Sequence, residues 1–239
     1  MESKKIWSIG CLSIIAIFVI SVILLFVVSI ASDDDDKEIQ QQVELAISNR
    51  EYDQARSLAQ KIWYKDEKQK EMDKINSSQL SYVLDNGSLE DAESLAKDLN
   101  ALPVFWEVID KNTNKIYARE DFRSIYMLLV RYPFKATYES SCNDVWYSDV
   151  EKKNAEYNKE VRLYNHIIIQ IIDLAIFDGK TEYIKKVIPM LKPEAVEVSR
   201  KKSSKNEDDE DYYVNLTYKL ENKAKAEALR KIKEAGINL

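Results

Sequence analysis

Residues 45–59 read LAISNREYDQARSLA, and residues 82–96 read YVLDNGSLEDAESLA. Set over one another, the two stretches are identical at Asn49 and Asn86, Ala55 and Ala92, Ser57 and Ser94, Leu58 and Leu95, and Ala59 and Ala96. Ile47 with Leu84, Tyr52 with Leu89 and Asp53 with Glu90 are conservative pairs. Each copy carries the marks of one helix ending and another beginning. An apolar run stops at Asn49, or at Asn86 and Gly87, and an acidic residue follows in the first turn of the next helix. Ala55 and Ala92 are small enough to let the two helices of each hairpin approach closely. A fainter third copy, LAIFDGKTEYIKKVI at 174–188, places Asp178, Gly179 and Glu182 at the turn and the acid.

The segment NREYDQARSLA resembles the inter-helix turn of a tetratricopeptide repeat, in which an aromatic residue, an acidic pair and a small Ala close the hairpin. The offset between copies approaches that family's period of about 34 residues, and Pro103 falls near the family's terminating proline. Neither copy has the Trp and Leu-Gly pair of the family's first helix, and Ala59 and Ala96 stand where a large apolar residue is usual. The resemblance covers about residues 38–103 and is fainter over 165–191. It implies stacked helical hairpins whose concave face holds a peptide or a partner protein.

Composition agrees with a helical chain. Four Gly and four Pro in 239 residues leave few breakers, so the expectation is an all-α fold with almost no sheet. Two architectures satisfy it, a tetratricopeptide-like α-solenoid and an irregular helical bundle. The net charge of -6 combines 35 basic with 41 acidic side chains, the mixture of solvated helix faces and not of a nucleic-acid surface. Cys11 and Cys142 cannot build a disulfide framework.

Residues 6–31 form an uncharged apolar run, about 39 Å long as a helix, which suffices to cross a bilayer with some tilt. Lys4 and Lys5 precede it and SDDDDK follows it, so positive-inside logic makes 1–5 a short cytoplasmic tail and puts everything after Ser32 on the outer face. Residues 6–31 are thus expected to be a single-pass signal anchor, with 32–37 as its acidic flank. Cleavage near Ala31, giving a secreted protein, and lipid attachment at Cys11 are the alternatives. The string DDDDK also matches a protease recognition tag, and it lacks the spaced ligands and Gly of a calcium loop.

Residues 38–199 are expected to continue as helical hairpins. Phe122, Ile125, Tyr126 and Leu129 lie at helical spacing within 119–132, and Val161, Tyr164, Ile168, Ile171, Ile172 and Ala175 line one face of a long helix over 148–177. Between these helices the aromatics Tyr132, Phe134, Tyr138, Trp146 and Tyr147 mark a stretch that either binds a partner or packs over a hairpin edge. Residues 200–211 read as a charged linker, and 212–239 as a C-terminal amphipathic helix that Gly236 ends.

Chemistry-bearing patterns are sparse. His166, the single histidine, shares a helical face with Arg162, Gln170 and Asp173 and reads as a surface histidine. No catalytic residue, metal-ligand spacing or phosphate loop is evident, so no enzyme activity, metal, cofactor, nucleic acid or small-molecule substrate is expected. Asn76, Asn86 and Asn215 head Asn-x-Ser/Thr strings. The functional expectation is a membrane-anchored, extracytoplasmic helical module that binds a protein or peptide as a scaffold. The alternative is a self-associating structural component of a cell envelope.

Overall fold

The computed structural model describes residues 36–142, 147–204 and 212–239, which are mostly helical. The chain divides into two units, Met1–Tyr82 and Val83–Leu239, with the division inside a helix. Residues 1–35, including the expected membrane anchor, lie outside the described residues, as do Trp146 and most of the linker. Among the described residues no helix is long and apolar enough to cross a membrane.

In the first unit, α1 (36–48), α2 (Tyr52–Ala59) and the start of α3 (Lys65–Asn86) surround one core. Val43, Ala46, Ala55, Ala59, Ile62 and Ile75 form it, with Tyr52 and Met72 packed against them. Ala55 and Ala59 are one turn apart and fully buried, so α2 meets the core along a ridge of methyl groups. The guanidinium of Arg50 lies 4.5 Å from the centre of the Tyr82 ring and ties the α1–α2 turn to α3. Asn76 is buried and accepts a hydrogen bond from Arg56 at 3.3 Å, which leaves no room for a glycan in this core.

The second unit runs through α4 (Leu89–Asp98), α5 (Leu102–Arg131), β1 (Ser141–Cys142), α6 (Tyr147–Phe177), α7 (Thr181–Val187), a short 3-10 turn (Ile188–Met190), β2 (Glu194–Ser204), β3 (Tyr212–Glu221) and α8 (Lys223–Glu234). Ser88 and Asp91 cap α4 reciprocally: the Asp91 N–H donates to Ser88 Oγ at 3.1 Å and the Ser88 N–H to Asp91 Oδ2 at 2.9 Å. Pro103 opens α5 and does not terminate a helix.

α5 folds back on itself. The twenty-five residue steps from Trp106 to Arg131 would span about 37 Å as straight helix. Yet the Trp106 and Tyr132 rings are 6.0 Å apart. The first half climbs beside α6, with Glu107 3.7 Å from Lys159, Asp110 2.6 Å from His166 and Tyr117 hydroxyl donating to Asp178 at 3.1 Å. The second half starts against α7, where Phe122 stacks on Tyr183 at 3.8 Å and Lys186 lies over Tyr126, and ends against α4, where Arg131 and Tyr132 bond to Glu93. The reversal therefore falls between Tyr117 and Phe122.

Among the described residues, four helices end in one way. Arg50, Asn100, Gly179 and Gly236 take positive φ values of 64, 51, 69 and 72°. At each, the residue's own N–H bonds back three residues and the next N–H bonds back five, as from Arg50 to Ile47 and from Glu51 to Ala46, both 2.9 Å. The second hairpin turn departs from this pattern, because Gly87 has no positive φ and Ser88 caps the following helix instead.

The C-terminal fifth corrects four expectations. A three-stranded antiparallel sheet of order β1-β3-β2 exists where almost none is expected. Arg200–Ser204 of the expected linker belongs to β2, and Tyr212–Glu221 of the expected C-terminal helix is β3. Only Lys223–Glu234 of that last segment is helical, docked through buried Ala228 and Ile232. The strands end the helical-hairpin region at Lys192 and not at residue 199. The reason is visible in β3, where Tyr212, Val214, Leu216, Tyr218 and Leu220 alternate with other residues at the strand period. A register shift between Glu197 and Ser199 marks a bulge at Val198.

Candidate functional site: a groove floored by Trp106, Phe134 and Tyr164

The stretch that leaves α5 is extended, and its burial alternates. Tyr132, Phe134, Ala136 and Tyr138 are half-buried, whereas Pro133, Lys135 and Thr137 are exposed. Phe134 packs edge-on to Tyr157 and tilted against Tyr164, both at 5.7 Å, and Tyr138 meets Tyr157 at 5.8 Å. Phe134, Tyr138 and Tyr157, with Val161, Ala195 and Tyr218, form a core cluster between α6 and the sheet.

Where this stretch begins, it closes one side of a groove of about 520 Å³. The apolar lining comes from Leu102, Pro103 and Trp106 of α5, from Pro133 and Phe134, and from Leu163, Tyr164 and Ile167 of α6. Glu107, Arg131, Lys135, Glu156, Lys159 and Glu160 make a rim of both signs. A concave apolar floor with a charged edge suits the side chains of a bound peptide better than a polar metabolite. A smaller hollow of about 290 Å³ beside Asp85 is crossed by the Lys115–Asp85 ion pair at 3.4 Å.

The wall at Tyr132 is held by a buried carboxylate. Glu93 of α4 is 3 % exposed and accepts hydrogen bonds from Lys97 Nζ at 2.7 Å, Tyr132 hydroxyl at 2.8 Å and Arg131. Burial pushes the Glu93 carboxyl up, but the Lys97, Arg131 and Tyr132 bonds outweigh it and hold the pKa below its ordinary value. The same bonds raise Lys97 and Arg131. Burial alone drives the Tyr164 hydroxyl up to about 12, so it stays a neutral donor under the groove floor.

Below the groove, α6 grips extended backbone with asparagine amides. Asn154 bonds both the N–H and the carbonyl of Glu139, at 2.9 and 3.0 Å. Asn158 does the same to Ala195, at 2.8 Å each, and Asn165 to Lys192, at 2.8 and 2.7 Å. Each primary amide replaces a missing strand neighbour, because it offers one donor and one acceptor at peptide spacing.

Tyr132 and Phe134 are thus brought to one groove, and Tyr138 lies in the cluster beneath the sheet. Trp146 is outside the described residues and Tyr147 begins α6. Trp106, Leu163 and Ile167 are groove residues that the aromatic stretch does not announce. Of the hairpin-turn residues, Asn49 follows α1, Tyr52 starts α2, Ala55 and Ala92 are buried, Asn86 ends α3, Gly87 precedes the Ser88 cap and Gly179 ends α6. His166 faces Asp110, and Gln170 donates to the same Asp110 carboxylate at 3.0 Å. Among the described residues no His, Cys, Asp or Glu side chains are grouped to hold a metal ion.

No protein-family model matches the chain, and no curated protein and no solved structure matches it.

Proposed function

We propose that the protein is a membrane-anchored, extracytoplasmic helical module that binds a protein or peptide segment in the Trp106–Phe134–Tyr164 groove. The groove carries the proposal: half-buried Trp106 and Phe134, with exposed Pro103 and Pro133 over buried Tyr164 and Ile167, line a concavity wide enough for several side chains, rimmed by charges that orient without excluding water. The side-by-side hairpins support a stacked-repeat reading of the second unit. The first half of α5 runs beside α6 and the start of its second half meets α7, a neighbour arrangement that stacked hairpins would share. The apolar run 6–31, with lysines before it and aspartates after it, supports the anchor and its orientation.

A photoreactive phenylalanine analogue replacing Lys135 on the groove rim tests the binding site in membranes of cells expressing the full chain. A discrete adduct that disappears in the Trp106→Ala background is the expected result. The same adducts from an analogue placed at exposed Leu229 would refute groove-directed binding. An adduct of twice the chain's mass would favour the self-associating envelope component, for which Met127 and Val130, both exposed on one face of α5, offer a contact.

A further inference from the structure

Trp63 is 75 % exposed, whereas Trp106 is half-buried in the groove. It stands in the turn between α2 and α3, and that turn is firmly held. The Lys61 N–H donates to Leu58 at 2.9 Å, the Ile62 N–H donates to Ala59 at 3.2 Å, and the Ile62 side chain is sunk in the core. The carboxylate of Asp36, 3 % exposed at the start of α1, accepts the Trp63 N–H at 3.0 and 3.2 Å and the Tyr64 N–H at 3.5 Å. The backbone is thus fixed on both sides of an indole turned to solvent. Tyr64 beside it is 37 % exposed, and Lys61 and Lys65 flank the pair, both exposed.

An indole keeps a large apolar face and one N–H donor, which water solvates poorly and the lipid headgroup layer solvates well. Flanking lysines reinforce that preference, since their stems lie along apolar surface while the ammonium reaches water and phosphate. The chain's own connectivity puts a bilayer nearby. Five residue steps separate Asp36 from Ala31, where the apolar run 6–31 ends, so Asp36 lies at most about 18 Å from that point. The Trp63 backbone is bonded to Asp36 directly.

We infer that the Lys61–Lys65 turn, through Trp63 and Tyr64, rests in the headgroup layer of the bilayer that residues 6–31 enter. It is a second membrane contact, and it fixes how α1, α2 and the start of α3 stand on the surface. The occupant is the lipid interface and not a protein, because two rings between lysines make no continuous apolar patch for a protein to cover. The inference rests on residues 6–31 being a membrane anchor.

Fluorescence of the full chain in phosphatidylcholine vesicles, brominated on the acyl chains near the headgroup, separates the two claims. Trp7 lies inside the apolar run, so quenching lost in Trp7→Phe reports insertion of the anchor. In the Trp7→Phe background, Trp63→Phe is expected to remove a further quenched component while leaving the far-ultraviolet dichroism unchanged. Equal quenching with and without Trp63, while Trp7 is quenched, would overturn the second contact and leave the anchor standing. Absence of Trp7 quenching would overturn the anchor, and this inference with it.

Discussion

Gly179 and Gly87 head hairpin turns for different reasons, and substitution separates them. Gly179 has a φ of 69° and open space around an added Cβ, so Gly179→Ala is expected to cost about 1 kcal/mol through backbone conformation alone. At Gly87 the φ is ordinary, but a Cβ would lie 3.0 Å from Asp91 Oδ2 and 3.0 Å from the Val83 carbonyl. Gly87→Ala should therefore disturb the Ser88–Asp91 cap and lower stability by about 1 kcal/mol, with amide exchange speeding up in the first turn of α4. The positive φ at Gly179 and Gly236 is legible in the sequence. Asn100 is the non-glycine type that tolerates this conformation best, whereas at Arg50 nothing local announces it, because a left-handed Arg is disfavoured.

Glu93 links residue chemistry to pH. Its folded pKa is depressed, so its contribution is present above the ordinary carboxylate range and is lost as pH falls through the lowered value. Glu93→Gln is expected to lower stability by about 1–3 kcal/mol near neutral pH, because it weakens the Lys97, Arg131 and Tyr132 bonds. Urea unfolding at pH 7 and pH 4 should show the variant less sensitive to acid than the parent. Tyr164 works in the opposite sense. Its pKa is raised to about 12, so its contribution is complete below the ordinary tyrosine range and is lost as pH rises towards 12. Burial raises Tyr157 and Tyr218 as well, so ultraviolet titration should show several late phenols, of which Tyr164→Phe removes the one near 12.

At the scale of elements, the amphipathic faces are legible and the strand partners are not. Phe122, Ile125 and Leu129 are buried as their spacing indicates, and so are Val161, Ile168, Ile171, Ile172 and Ala175. The sheet is missed because charge in β2 masks a strand, since Arg200, Lys201 and Lys202 resemble a linker more than half of a hairpin. Asn154, Asn158 and Asn165 look like polar interruptions of α6, and only their backbone partners give them a role. Asn158→Ala should leave both backbone groups of Ala195 without that partner and cost about 1–3 kcal/mol. Faster amide exchange at Ala195, with α8 unchanged, would locate the effect at the contact between β2 and α6. In the hairpins, Ala55→Trp or Ala92→Trp should overpack a fully buried site and lower stability by about 1–3 kcal/mol, and neutral behaviour at both would contradict close helix approach.

For the whole molecule, half of the groove can be read from the chain and half cannot. Tyr132 and Phe134 stand out in an aromatic stretch with little helical character, but Trp106 enters only because α5 reverses and returns Tyr132 to it. That reversal contains no Gly or Pro to announce it between Tyr117 and Phe122. The proposed direction across the bilayer, by contrast, rests on the charges beside residues 6–31, Lys4 and Lys5 on one side and four aspartates on the other. The proposed molecule is a helical binding module held by that segment on the outer face. Its most direct test is protease treatment of intact cells expressing the full chain with a C-terminal tag, followed by fractionation. Full-mass protein in the membrane fraction of untreated cells, with loss of the tag on treatment, is the expected result. A protected tag would contradict the orientation, and soluble protein beginning near Ser32 in the medium would contradict the anchor.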